Sequence, residues 1–232
     1  MEKKLKYVVF DFDGTLTTGN CNVWVNIWKN LNLPEGFKKL EWTLFDMYKS
    51  GKITYEKWVE YTNSIFISGG MNINLLDYIC YGVNPVAGLK PTLQKLKDNG
   101  YGLYIVSGGI KQAIEMILGD SAKLFDGIYA NEMWFDQTGR LIYTKPTNYD
   151  YYGKAKFVAN LIRERHIKPQ NVIFVGNGLN DEYVHTTGCR TICVNPEKGT
   201  HFRDKKIWNH YIPNLKNLSQ IQNFIEVNEY QR

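Results

Sequence analysis

The chain has 232 residues, 44% apolar and 22% charged, with four cysteines. That length holds one fair-sized domain with an insertion and buries a core without disulfide staples; 14% aromatic residues and a net charge of only +5 exclude a disordered chain. Lys3-Lys4 and Lys205-Lys206 are too short for a nucleic-acid footprint, and no apolar run approaches the ~20 residues of a membrane span, so neither nucleic acid nor membrane is expected as a partner.

The charged start, Met1 to Lys6, is followed by only four apolar residues before Asp11. That is too little for a secretory signal, and a cytoplasmic location is expected. Cys21, Cys80, Cys189 and Cys193 form no C-x-x-C pair and read as reduced thiols.

Residues 7–10, β-branched and aromatic, predict a buried first strand. Residues 18–85 then read as almost entirely helical: Val23, Trp24, Ile27, Trp28 and Leu31 recur at helical spacing, as do Tyr55, Trp58, Val59 and Ile65. Pro34, Gly51 and Gly69-Gly70 punctuate the stretch. Further strands are predicted at 102–106, 172–175 and 191–194, with helices at 91–97, 110–118 and 155–162. Trp134-Phe135 and Leu141-Ile142 flank Asp136-Gln137-Thr138-Gly139, a hairpin signal within 128–143. Leu215, Leu218, Ile221 and Ile225 predict a last helix on the sheet. The alternation argues for a doubly wound, Rossmann-like parallel sheet. It divides the chain into a core of residues 1–17 plus 86–232 and an inserted helical cap of residues 18–85.

Parallel strands end at one edge, and ligands bind there. The loops gathered there hold Asp11 and Asp13, Ser107 and Gly108, and Asn177 and Asp181. Asp11 and Asp13, at i and i+2, point the same way. Two carboxylates held close attract a hard divalent cation such as Mg²⁺, and one can serve as nucleophile while the other handles protons. Ser107-Gly108-Gly109, read as opening a helix, offers a hydroxyl and free amides to an anion; without Asp11 and Asp13 it would read as a turn. Lys154 falls at a predicted helix start, where cations are disfavoured, which hints at a bridge between a carboxylate and a phosphate oxygen; taken alone it reads as a solvated lysine. Gly176-Asn177-Gly178 with Asp181 could offer oxygens to a cation or form a plain glycine turn.

In this order, Asp-x-Asp-Gly-Thr, Ser-Gly, Lys and Gly-Asx-Gly-x-x-Asp resemble the haloacid dehalogenase-like (HAD) phosphohydrolase superfamily over nearly the whole chain. The helical insert and the Asn131-Glu132 region resemble its phosphoserine-phosphatase-like branch. The resemblance implies a Mg²⁺-dependent phosphatase acting on a small organic phosphate. Asp11 would be the nucleophile and form an aspartyl-phosphate, with Asp13 as acid and base. Ser107, the Gly108 backbone and Lys154 would hold phosphate. The metal would sit on the Asp11 carboxylate, the Asp13 carbonyl and Asn177, with Asp181 holding metal waters or Lys154. The family usually has Asp where this chain has Asn177, which predicts weaker Mg²⁺ binding. The same intermediate also serves a phosphotransferase, and a catalytically weak binding protein on this fold is a further alternative.

The insert contains no arginine to clasp a carboxylate, and the position expected to be acidic in phosphoserine phosphatases falls near Asn20. The expectation is therefore a substrate other than phosphoserine. Asn20, Trp24, Trp28, Tyr55 and Trp58 are the substrate candidates in the cap, against the alternative that the rings are simply the insert's own core.

Overall fold

The computed structural model describes residues 6–19 and 22–226. A seven-stranded sheet runs in the order β4-β3-β2-β1-β5-β6-β7. It comprises β1 (Lys6–Phe10), β2 (Tyr101–Ile110), β3 (Gly127–Phe135), β4 (Leu141–Lys145), β5 (Val172–Gly176), β6 (Arg190–Val194) and β7 (His210–Ile212). All neighbouring pairs are parallel except β3 and β4.

The alternation within β1 explains the two covered faces. Val8 and Phe10 join one apolar cluster with Leu93, Leu96, Leu103 and Ile173. Tyr7 and Val9 join the other with Tyr104, Val158, Leu161 and Phe174. Side chains two apart share a face, and a strand covered on both faces reads as an unbroken apolar run. Helices α6 (Leu89–Asp98) and α7 (Lys111–Leu118) supply side chains to the first cluster, and α8 (Tyr152–Glu164) to the second.

The insert carries α1 (Val23–Asn30), α2 (Glu35–Lys38), α3 (Leu40–Lys49), α4 (Tyr55–Ser68) and α5 (Ile73–Tyr81). Asn22, Thr54 and Asn72 cap α1, α4 and α5 by accepting from Val25, Lys57 and Leu75 amides. Its two connections are stitched together: Thr17 and Pro85 form an antiparallel bridge, Thr18 N donates to Asn84 O and Val86 N to Leu16 O, each at 2.9 Å. The insert's core is shared, because Ile27, Val59, Phe66 and Leu76 pack with Ile110 at the end of β2, Ala113 of α7, and Met133 and Leu141 of the hairpin. Ile73 N donates to Gly139 O, and Leu141 N to Met71 O.

Four local expectations change. β2 runs on through Ser107-Gly108-Gly109, and the helix begins only at Lys111; the pairing with β3 shifts register between Val106 and Ile110. Segment 128–143 does not interrupt the sheet: the start of β3 pairs with β2, and its end turns into the hairpin. β7 is an additional strand. The last helix divides into a 3-10 turn, Leu218–Ile221, and α9 (Gln222–Glu226), although Leu215, Leu218, Ile221 and Ile225 are all buried on the sheet as anticipated.

Candidate active site

The C-terminal ends of β1, β2 and β5 bring the motif residues to one edge, under the insert. A cavity of about 360 Å³ there is lined by Asp11, Asp13, Ser107, Gly108, Asn177 and, from the insert, Trp24, among others.

Lys154 is fully buried, and its Nζ stands 2.7 Å from Asp11 Oδ1 and 2.7 Å from Asp181 Oδ1. Burial opposes its charge, but Asp11, Asp181 and Asp150 outweigh burial and raise its pKa. Burial pushes Asp11 up to about 8, against the lowering pull of Lys154. Burial likewise pushes Asp13 up to about 7, again opposed by Lys154. Asp13 Oδ1 is buried without a hydrogen-bond partner. Burial raises both carboxyls, and they differ in their partners: Asp11 is ion-paired with Lys154, and Asp13 keeps an unanswered oxygen.

The second oxygen of Asp181 accepts from Asn177 N at 2.8 Å and Gly178 N at 2.9 Å. With Lys154 on its first oxygen, Asp181 is committed to the protein, and neither it nor Lys154 lines the cavity. It stands beside Lys154. Asn177 lies against Gly14, whose φ is +73; a Cβ there would come within 2.2 Å of Asn177 Nδ2. Glycine is required at that turn for both reasons.

The Ser107–Gly109 loop is held by its own serine and by two side chains from elsewhere in the chain. Gly109 N donates to Ser107 Oγ at 3.0 Å. Trp24 Nε1 donates to Gly108 O at 3.0 Å. Asn131 Nδ2 donates to Gly108 O at 2.8 Å, to Gly109 O at 3.0 Å and to Tyr55 Oη at 2.7 Å. Asn131 Oδ1 in turn accepts from Thr147 N at 2.8 Å. These contacts fix the loop at the cavity wall, which Ser107, Gly108 and Gly109 all line.

Trp24, Trp28, Tyr55 and Trp58 are buried in the insert's core and also line the cavity. Trp24 meets Trp58 at 5.3 Å between ring centroids, and Tyr55 meets Trp58 at 5.6 Å. The core reading and the lining reading both hold, because the cavity lies on the insert's inner face. Asn20 lies outside the described residues.

Sequence reasoning missed Asp150, Tyr151, Asn180 and Glu197, all on the cavity wall. Asp150 Oδ1 accepts from Asn180 Nδ2 at 2.8 Å and from Tyr151 N at 3.1 Å, and burial pushes its carboxyl up. Tyr151 has φ 42, a strained setting for a non-glycine residue. No spacing in the sequence marks these residues; Asp150, four before Lys154, is the one with a local cue.

A model of the haloacid dehalogenase-like hydrolases matches residues 5–182. The chain belongs to this family. Among curated relatives, a phosphoserine phosphatase of Archaeoglobus fulgidus is 27% identical over 183 residues, which are 78% of this chain and 49% of that protein. One of Methanocaldococcus jannaschii is 26% identical over 189 residues, covering 78% of this chain and 81% of that one. The HAD chain thus spans about half the length of the first relative. A solved phospho-aspartyl intermediate analogue of phosphoserine phosphatase superposes with a TM-score of 0.70 at 20% identity, covering 95% of this chain and 99% of that one; this likeness is one of fold. The expectation against phosphoserine, drawn from the arginine-free insert, is not borne out, since these relatives are named for that substrate. Among the described residues no helix is long and apolar enough to cross a membrane, and Cys80, Cys189 and Cys193 are free and buried.

Proposed function

We propose that this HAD hydrolase is a Mg²⁺-dependent phosphatase that cleaves a small phosphomonoester through an aspartyl-phosphate on Asp11. The observation that carries the reading is the contrast between two carboxylates on one cavity: Asp11 paired with Lys154, and Asp13 with a buried oxygen that has no partner. The names of the relatives make phosphoserine the first substrate to test.

In the first step the Asp11 carboxylate attacks phosphorus, the bond to the leaving oxygen breaks, and Asp13 gives that oxygen its proton. In the second, the Asp13 carboxylate takes a proton from water, the water oxygen bonds to phosphorus, and the bond to Asp11 breaks. Lys154 stays protonated and offsets the approach of two anions. The Ser107 hydroxyl and the Gly108 amide hold phosphate oxygens. The cap excludes bulk water, which strengthens each of these interactions.

The oxygens present suit a hard cation. Asp11, Asp13, Asp150 and Glu197 all line the cavity, and the unpartnered Asp13 oxygen adds to the excess of negative charge. Among the described residues no three His, Cys, Asp or Glu side chains converge on one point. Mg²⁺ is commonly held by one or two carboxylates with water, and here the Asp11 carboxylate, the Asp13 carbonyl and the Asn177 amide oxygen would hold it. Bound there, it would supply charge neutralisation between nucleophile and phosphate.

The test is phosphate release from phosphoserine, phosphoethanolamine, phosphocholine and sugar phosphates, with and without Mg²⁺ and with added acceptor alcohols. Metal-dependent release that disappears in Asp11→Asn supports the reading. A folded protein that turns over no member overturns it, and label passed to an added alcohol marks a transferase.

A further inference from the structure

We infer that Glu197, on the loop after β6, supplies from outside the first coordination shell the negative charge that the neutral Asn177 withholds from the magnesium site. The inference rests on the metal assignment proposed above.

Two loops that meet at the cavity carry the argument. Asn177 O accepts from Glu197 N at 2.9 Å and from Thr200 Oγ1 at 3.2 Å, and Thr200 N closes a turn onto Glu197 O at 3.1 Å. The loop after β6 is thereby fastened to the residue that would face the metal. Asn177 and Glu197 both line the cavity with Asp11 and Asp13. Gly178 opens the path, because a Cβ at that position would lie 3.0 Å from Glu197 Oε2.

A carboxylate fixed against a neutral ligand has two effects. It polarises the Asn177 amide, and it accepts hydrogen bonds from water on the cation. In this role Glu197 acts through water on the cation and through Asn177. Mg²⁺ retains several waters in protein sites, and groups that orient ligands from the next layer commonly change affinity by about 10–100-fold.

The test is direct metal binding to the full chain, with Mg²⁺ by titration calorimetry and Mn²⁺ by electron paramagnetic resonance. The proteins are the parent, Glu197→Gln, Asn177→Asp and the double variant, each checked for folding by circular dichroism. Glu197→Gln should weaken binding about tenfold or more. Asn177→Asp should tighten it, and the double variant should return to within about threefold of the parent, because the charge has been moved and not removed. Parent-like binding by Glu197→Gln overturns the inference. So does a double variant as weak as Glu197→Gln, which would make Glu197 a loop anchor. A parent that binds neither ion overturns the metal assignment itself.

Discussion

Lys154 Nζ lies 2.7 Å from the carboxylate of Asp11, a residue 143 positions earlier in the chain. Lys154 is fully buried and Asp11 nearly so, with Asp181 on the far side of the lysine. A buried ion pair contributes little net stability, but breaking one strands a charge at a cost of about 3–5 kcal/mol. Lys154→Met therefore leaves two buried carboxylates uncompensated. It should lower stability by about that amount in urea titrations and reduce phosphate release by more than ~100-fold. A variant that keeps the parent's midpoint and activity would remove Lys154 from the site.

Asp13 sets an opposing balance between stability and activity. Its folded-state pKa, about 7, lies above its ordinary 3.8 because burial disfavours the charge. For a carboxyl raised on folding, the associated stability is present in full below the ordinary value and is lost as pH climbs through the folded value. The metal-free protein should therefore melt at lower temperature at pH 8 than at pH 6. Asp13→Asn should flatten that slope and raise the melting temperature at pH 8 by about 2–6 °C, while abolishing turnover. Differential scanning calorimetry in chelator measures both.

Asn131 tests the phosphate loop. It is fully buried, and its amide joins two loop carbonyls, Tyr55 and Thr147. Asn131→Ala orphans those groups, at about 1–3 kcal/mol for each left unsatisfied. It should raise KM and lower kcat together, because the loop loses its orientation. Asn131→Asp should be worse, since a carboxylate would face the carbonyls of Gly108 and Gly109. Steady-state kinetics with chemical denaturation separates the two effects.

Gly153 tests the placement of Lys154 without touching any charge. A Cβ at residue 153 would fall 1.4 Å from the backbone oxygen of Asn148, and backbone cannot move aside as a flexible side chain can. Gly153→Ala should displace the start of α8, cost more than ~3 kcal/mol and lose activity through misplacement of Lys154. Gly36→Ala, where nothing lies within 4 Å, is the control and should leave both unchanged.

The order and spacing of the motifs were legible because each follows a strand, and strands of this kind announce themselves. Val8, Val9 and Phe10 are buried on alternate faces, so the run is apolar throughout, and the next residue, Asp11, has to leave the sheet at its edge. The helical insert was legible for the related reason that the spacing of Trp24, Ile27 and Trp28 encodes one buried face. β7 was not, because three residues with one partly exposed and one exposed side chain carry no periodic signal. The continuation of β2 through Ser107-Gly108-Gly109 was not legible either, because glycine is depleted in strands and these residues are held by Trp24 and Asn131, far away in the sequence.

The sequence by itself determined the alternation of strands and helices, the insert after β1 and the chemical types at Asp11, Asp13, Ser107 and Lys154, since periodicity and local motif spacing are written along the chain. Only the tertiary structure decided the division of labour. It turned Asp181 toward Lys154 and two backbone amides, laid the insert's tryptophans across both core and cavity, and brought Asp150 and Glu197 to the same wall. Those choices depend on which oxygen finds a donor and which loop crosses which, and contacts between residues far apart in sequence leave no trace in local spacing.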